Sequence, residues 1–90
     1  MDVTFDPRKR ALTLRHRGLD LAQAGRLFEG TTATIADERF DYGETRFISA
    51  GYLDGRLVVV VWTQRGEARH IISMRHCHAK EEEIWRRRMG

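Results

Sequence analysis

The sequence predicts an α+β domain: a short first strand, two helices, four strands in antiparallel succession and a closing helix. Three observations carry that expectation. Two aspartates that suit helix N-caps, Asp6 before Pro7 and Asp20, precede two glycines that suit helix ends, Gly18 and Gly30. From Thr32 onward the apolar period changes to two, and turn pairs divide the segments. Ala79 to Arg88 places Glu81–Glu83 early and Arg86–Arg88 late, the order that the helix macrodipole favours. Strands grouped apart from helices make an α+β chain rather than an alternating α/β one.

Val3-Thr4-Phe5 alternates as a strand does. The first helix is expected from Pro7 to about Arg17. In the second, Leu21, Ala24, Gly25 and Phe28 form one stripe at i, i+3, i+4 and i+7. Thr32 to Ala36 is β-branched and reads as a strand, and the charged stretch from Asp37 to Gly43 reads as its connection. Arg46 to Leu53 alternates, and Asp54-Gly55 is a two-residue hairpin signal. Leu57 to Trp62 is apolar on both faces, which suits a central covered strand. Gly66 marks a second hairpin turn, and Ala68 to Arg75 is the next strand.

At 90 residues the chain is one domain, against the usual 100–200 or so per domain. Its charge is uneven: +3 from Met1 to Gly18, −4 from Leu19 to Gly55 and +3 from Gln64 to Gly90. Fourteen of its sixteen cations are Arg, whose planar fork suits phosphate better than the point charge of Lys. Basic ends fit nucleic acid, and the acidic middle fits a basic partner. The single cysteine, Cys77, excludes an internal disulfide and a Cys-rich zinc site, and points to a reducing cytoplasm. The longest apolar run, Leu57–Trp62, is six residues, far short of the roughly 20 that span a bilayer. Asp6, Arg8, Lys9 and Arg10 interrupt any apolar leader.

No Gly-rich phosphate loop or nucleophile elbow is present, and His76-x-His78 lacks a carboxylate at a spacing that would complete a metal site. No metal or other cofactor is expected. The most informative stretch is Arg69-His70-Ile71-Ile72-Ser73-Met74-Arg75. Simple alternation puts Arg69, Ile71, Ser73 and Arg75 on one face and His70, Ile72 and Met74 on the other. Two guanidinium forks and a hydroxyl on one face can grip a phosphate, although a half-solvated strand would look the same. His16 and Arg17 end the first helix, where an imidazole serves either as a dipole partner or as a proton carrier beside the arginines. Trp85 reads most simply as a core anchor, with base stacking as its functional alternative.

The ordered set of residues resembles the BrnT family of toxins. The set comprises Phe5-Asp6-Pro7-x-Lys9, Leu14-x-x-x-Gly18-Leu19-Asp20-Leu21, Phe28, Asp41-Tyr42-Gly43-Glu44-x-Arg46-Phe47-Ile48, Gly51 and Arg69-x-Ile71-Ile72-Ser73-x-Arg75, followed by Glu81 and Trp85. The chain departs from the family's usual pattern in its His16-Arg17 order and in Glu82. The resemblance implies a RelE-like fold and a metal-independent ribonuclease that arrests translation. It also implies a BrnA-like ribbon-helix-helix antitoxin, assembled as two toxins with two antitoxins, through which alone operator DNA is bound. On that reading Arg69 and Arg75 stabilise phosphate, Ser73 positions it, and His16 moves protons with Glu81 as second candidate. Arg17, Arg65 and Trp85 contact RNA. The competing reading is a non-catalytic nucleic-acid- or partner-binding module.

Overall fold

A computed structural model describes residues 2–90. Asp6 is extended and its carboxylate accepts the Arg8 N–H at 2.9 Å, which starts α1 (Pro7–Arg17). Gly18 ends the helix at φ +68°, donating its N–H to the Leu14 carbonyl at 3.0 Å. Asp20 caps a 3₁₀ turn, Leu21–Gln23, that runs into α2 (Ala24–Glu29). The buried set is Leu21, Ala24 and Leu27, whereas the expected Gly25 and Phe28 are half-buried, Phe28 packing against the core from its edge. A 3₁₀ start has three residues per turn and rotates the inward stripe accordingly.

The strands are β1 (Val3–Phe5), β2 (Thr32–Ala36), β3 (Arg46–Leu53), β4 (Arg56–Arg65) and β5 (Ala68–His76), and α3 (Ala79–Met89) closes the chain. They form one sheet in the order β1-β5-β4-β3-β2. Strands β2 to β5 are antiparallel neighbours, as expected. Strand β1 instead joins β5 in parallel, making the sheet mixed. Parallel pairing needs a long crossover, and everything between Phe5 and Ala68 supplies it. At the β3–β4 turn Asp54 and Gly55 both have positive φ, 50° and 79°, the geometry of the favoured hairpin turn.

Two apolar layers sandwich the sheet. On one face Leu21, Ala24 and Leu27 pack against Val58, Val60, Trp62, Ile71 and Met74. On the other, Trp85 of α3 packs against Ala33, Ala50, Leu57 and Val59. Strand β4 is thus covered on both faces, as its unbroken apolar run requires.

The pairing of β4 with β5 slips by one residue. Ser73 lies opposite Val61 but Ile71 opposite Trp62, so Ile72 is an extra residue in a β-bulge. Directly paired residues share a face, so the bulge reverses the alternation across it. Arg69 and Ile71 lie on the α2 face, whereas His70, Ser73 and Arg75 lie on the α3 face. The expectation that Arg69 shares a face with Ser73 and Arg75 is corrected by that one residue. Ile71 and Met74, three apart, both enter the α2-side core, which strict alternation forbids.

Candidate functional site

Helix α3 covers only part of its side of the sheet. Beyond Trp85 lies a strip built from two cross-strand rows, Arg46, Thr63, His70 and Thr4, then Ile48, Val61 and Ser73, all at least partly exposed except the buried Thr63. Arg75, opposite Val59, stands where the strip meets α3.

Arg75 is held there by α3. Both of its terminal nitrogens donate to Glu81, Nη1 to Oε1 and Nη2 to Oε2 at 3.1 Å. Glu81 Oε1 also accepts the His78 N–H at 2.8 Å, which fixes the start of the helix. Hydrogen bonding to Arg75, helped by the His78 N–H, pulls the Glu81 carboxyl down to about 2 against the cost of burial. An ionised carboxylate so engaged orients Arg75 and is a poor proton carrier near neutral pH.

Helix α1 flanks the strip at the β5 edge. Because β1 pairs only with Arg69–Ile71, no strand among the described residues lies beside the next part of that edge. Lys9 Nζ donates to the Ile72 carbonyl at 3.3 Å and Arg17 Nη1 to the Met74 carbonyl at 2.7 Å. These bonds hold a helix that has no buried residue of its own. They also place His16 between two clefts. One, of about 370 Å³, is lined by His16, Arg17 and Ser73. The other, of about 660 Å³, is lined by His16, Arg17, Arg56, Arg75, His76 and His78. Burial foremost, then Arg56, pushes the His76 imidazole below its ordinary value. Burial pushes the Cys77 thiol up to about 11.

The structure therefore gathers His16, Arg17, Ser73, Arg75 and Glu81 around one end of β5. The other expected residues stand apart. Arg69 stacks on the far side of the sheet, its guanidinium carbon 4.1 Å from the Phe28 ring centre and 4.8 Å from that of Trp62. Its Nε is buried without a hydrogen-bond partner. Arg65, at the end of β4, lies 3.6 Å from Glu44 at the rim of the strip. Trp85 is 7% exposed, so its ring fills the α3 core and is closed to a base.

Three basic side chains on this side, Arg46, Arg39 and His70, were not singled out as site residues by the sequence reading. Arg46 lies over the Tyr42 ring at 4.0 Å, and Tyr42 in turn donates to the buried Asp37 carboxylate at 3.1 Å. Arg39 clamps Asp37 through two bonds of 2.8 Å, holding that carboxyl well below the carboxylate range. His70 is the third, brought round by the bulge. The signal that could have revealed it was the spacing of Ile71 and Met74, which a regular strand cannot bury together.

A profile described as "Ribonuclease toxin, BrnT, of type II toxin-antitoxin system" matches residues 5–81. The chain belongs to the BrnT family. The match runs from the last residue of β1 to the first turn of α3, so in this BrnT-family chain it takes in the whole bulged strand and both partners of the Arg75–Glu81 pair. Of the residues expected at the site, Trp85 alone falls beyond it. No curated protein matches the chain significantly. No helix among the described residues is long and apolar enough to cross a membrane.

Proposed function

We propose that this BrnT-family toxin cleaves RNA on the strip beside Arg75 without a metal ion, and so arrests translation in the cytoplasm. The observation that carries the reading is Arg75, locked by Glu81 on the same sheet face as Ser73, with His16 lining the clefts beside both. RNA brings its own nucleophile, the 2′-OH. The protein then has to position the phosphodiester, move protons and stabilise charge on phosphorus. Arg75 supplies a charge-assisted donor, Ser73 a hydroxyl donor and His16 a proton-transfer group. Glu81 acts as a positioning residue through Arg75. Arg17 and Arg65 border the path of the backbone. Arg69, on the opposite face, belongs to the fold rather than to the phosphate site.

The partner fitting a type II toxin is a BrnA-like ribbon-helix-helix antitoxin, two copies with two toxins, which alone contacts operator DNA. The assay uses purified protein and labelled RNA in excess EDTA. Products ending in 2′,3′-cyclic phosphate, lost in Arg75→Ala and largely retained in Arg69→Ala, are expected. Activity that returns only with Mg²⁺ overturns the metal-free mechanism. A wild-type protein that neither cuts RNA nor arrests growth overturns the ribonuclease reading in favour of a binding module.

A further inference from the structure

Cleavage by the 2′-OH needs two proton transfers on opposite sides of the phosphorus. One proton leaves the 2′-oxygen as it bonds to phosphorus, and one reaches the 5′-oxygen as its bond to phosphorus breaks. His16, at the α1 edge, lies on one side of Ser73. On the same sheet face, three residues back along β5, stands a second imidazole. Their partners on β4, Val61 and Thr63, are two residues apart, so at about 3.3 Å per residue the His70 and Ser73 backbones lie roughly 7 Å apart, close enough for both side chains to face one phosphodiester.

His70 is oriented as a proton carrier would be. Its Nδ1 lies 2.9 Å from the Thr4 hydroxyl of β1, which faces it across the parallel pair. In the tautomer whose Nδ1–H donates to Thr4, the Nε2 lone pair stays free to accept a proton. The same bond survives when the ring is fully protonated, so one orientation serves both states. The groups around it are Arg65 and Thr63 from β4, Lys9 and Asp6 from the α1 segment and Glu44 from the β2–β3 connection.

We propose that His70 is the general base of this chain, taking the 2′-OH proton at Nε2, with Thr4 as its positioning residue and His16 returning a proton to the 5′-oxygen. The proposal rests on the ribonuclease reading above. The bond formed is O2′–P and the bond broken is P–O5′, leaving a 2′,3′-cyclic phosphate and a free 5′-hydroxyl. Burial first, then Arg65 and Lys9 against the opposing pull of Glu44 and Asp6, lowers the His70 pKa from its ordinary value. The imidazole is thus ready to accept a proton at neutral pH.

The test is the pH profile of kcat/KM on a short RNA in EDTA for wild type, His70→Asn, Thr4→Val and Thr4→Ser. Wild-type activity should rise with pH through a midpoint below that of an ordinary histidine and fall again at higher pH, the bell shape of a base acting with an acid. His70→Asn should lose that rise and about 10²-fold or more in rate. Its affinity for a non-cleavable 2′-deoxy oligonucleotide should stay unchanged. Thr4→Val should lower kcat and move the midpoint, and Thr4→Ser should restore both. A His70→Asn protein that cuts with wild-type rate and profile overturns the proposal and leaves the ribonuclease reading intact. A wild type that does not cut overturns both. If the variant fails to fold, ¹⁵N spectra of the wild-type imidazoles decide: a His70 signal shifted by the 2′-deoxy oligonucleotide supports the assignment, and an unmoved one overturns it.

Discussion

Replacing Glu81 by Gln probes the pair that aims Arg75 into the strip. Gln keeps an oxygen for the His78 N–H, so the helix start is retained while the charge is removed. The Glu81 carboxyl is lowered from 4.5 to about 2, chiefly by its hydrogen bonds to Arg75. At about 1.4 kcal/mol per unit the full shift would correspond to roughly 3 kcal/mol. Both side chains keep much of their surface in water, however, 37% for Arg75 and 27% for Glu81. Solvent screening reduces such a pair to about 1 kcal/mol. A carboxyl whose pKa falls on folding adds stability that is complete above its unfolded value of 4.5 and is lost as pH falls toward about 2. Urea unfolding should therefore show Glu81→Gln less stable than wild type by about 1 kcal/mol at pH 7. The gap should shrink by about half or more at pH 3, where the unfolded carboxyl is protonated and the folded one is still ionised. Cleavage should fall through kcat more than through RNA affinity, because a loosened Arg75 still carries its charge. A stability gap that stays constant from pH 7 to pH 3 refutes the argument, for it would mean that the carboxylate's charge contributes nothing to folding.

A β-carbon at Gly51 would sit 2.8 Å from Leu27 Cγ and Cδ2 and 3.1 Å from Thr32 Cγ2, so Gly51→Ala must displace the buried Leu27 side chain of α2. A loss of about 1–3 kcal/mol in urea unfolding is expected, and an unchanged midpoint would show that α2 does not press on β3 as described. The Cys77 thiol, raised to about 11, is almost wholly protonated at pH 8, since a raised thiol pKa leaves little thiolate below it. Iodoacetamide should therefore alkylate native Cys77 more slowly at pH 8 than the urea-unfolded chain. Equal rates would refute the burial argument.

Much of this protein was legible in the residues alone. The order of elements follows from signals that act over a few residues: the Asp6 cap, Gly18 in the left-handed region, the Asp54-Gly55 turn, and acids before arginines along α3. Each is satisfied by its own neighbourhood, so each can be read without knowing what lies across the sheet. Part of the candidate site's clustering was legible too, since His16, Ser73, Arg75 and Glu81, named together from the sequence, come together around β5. What only the tertiary structure decided is which side each residue serves. The parallel docking of β1 gives His70 its Thr4 partner from 66 positions away in the chain. The bulge at Ile72 exchanges Arg69 for His70 beside Ser73, and the packing of α3 buries Trp85 while turning Glu81 onto Arg75. A strand alternates faces with period two, so one inserted residue reverses everything beyond it. That insertion is chosen by the core's need to bury both Ile71 and Met74, a condition set by strands and helices far off in sequence.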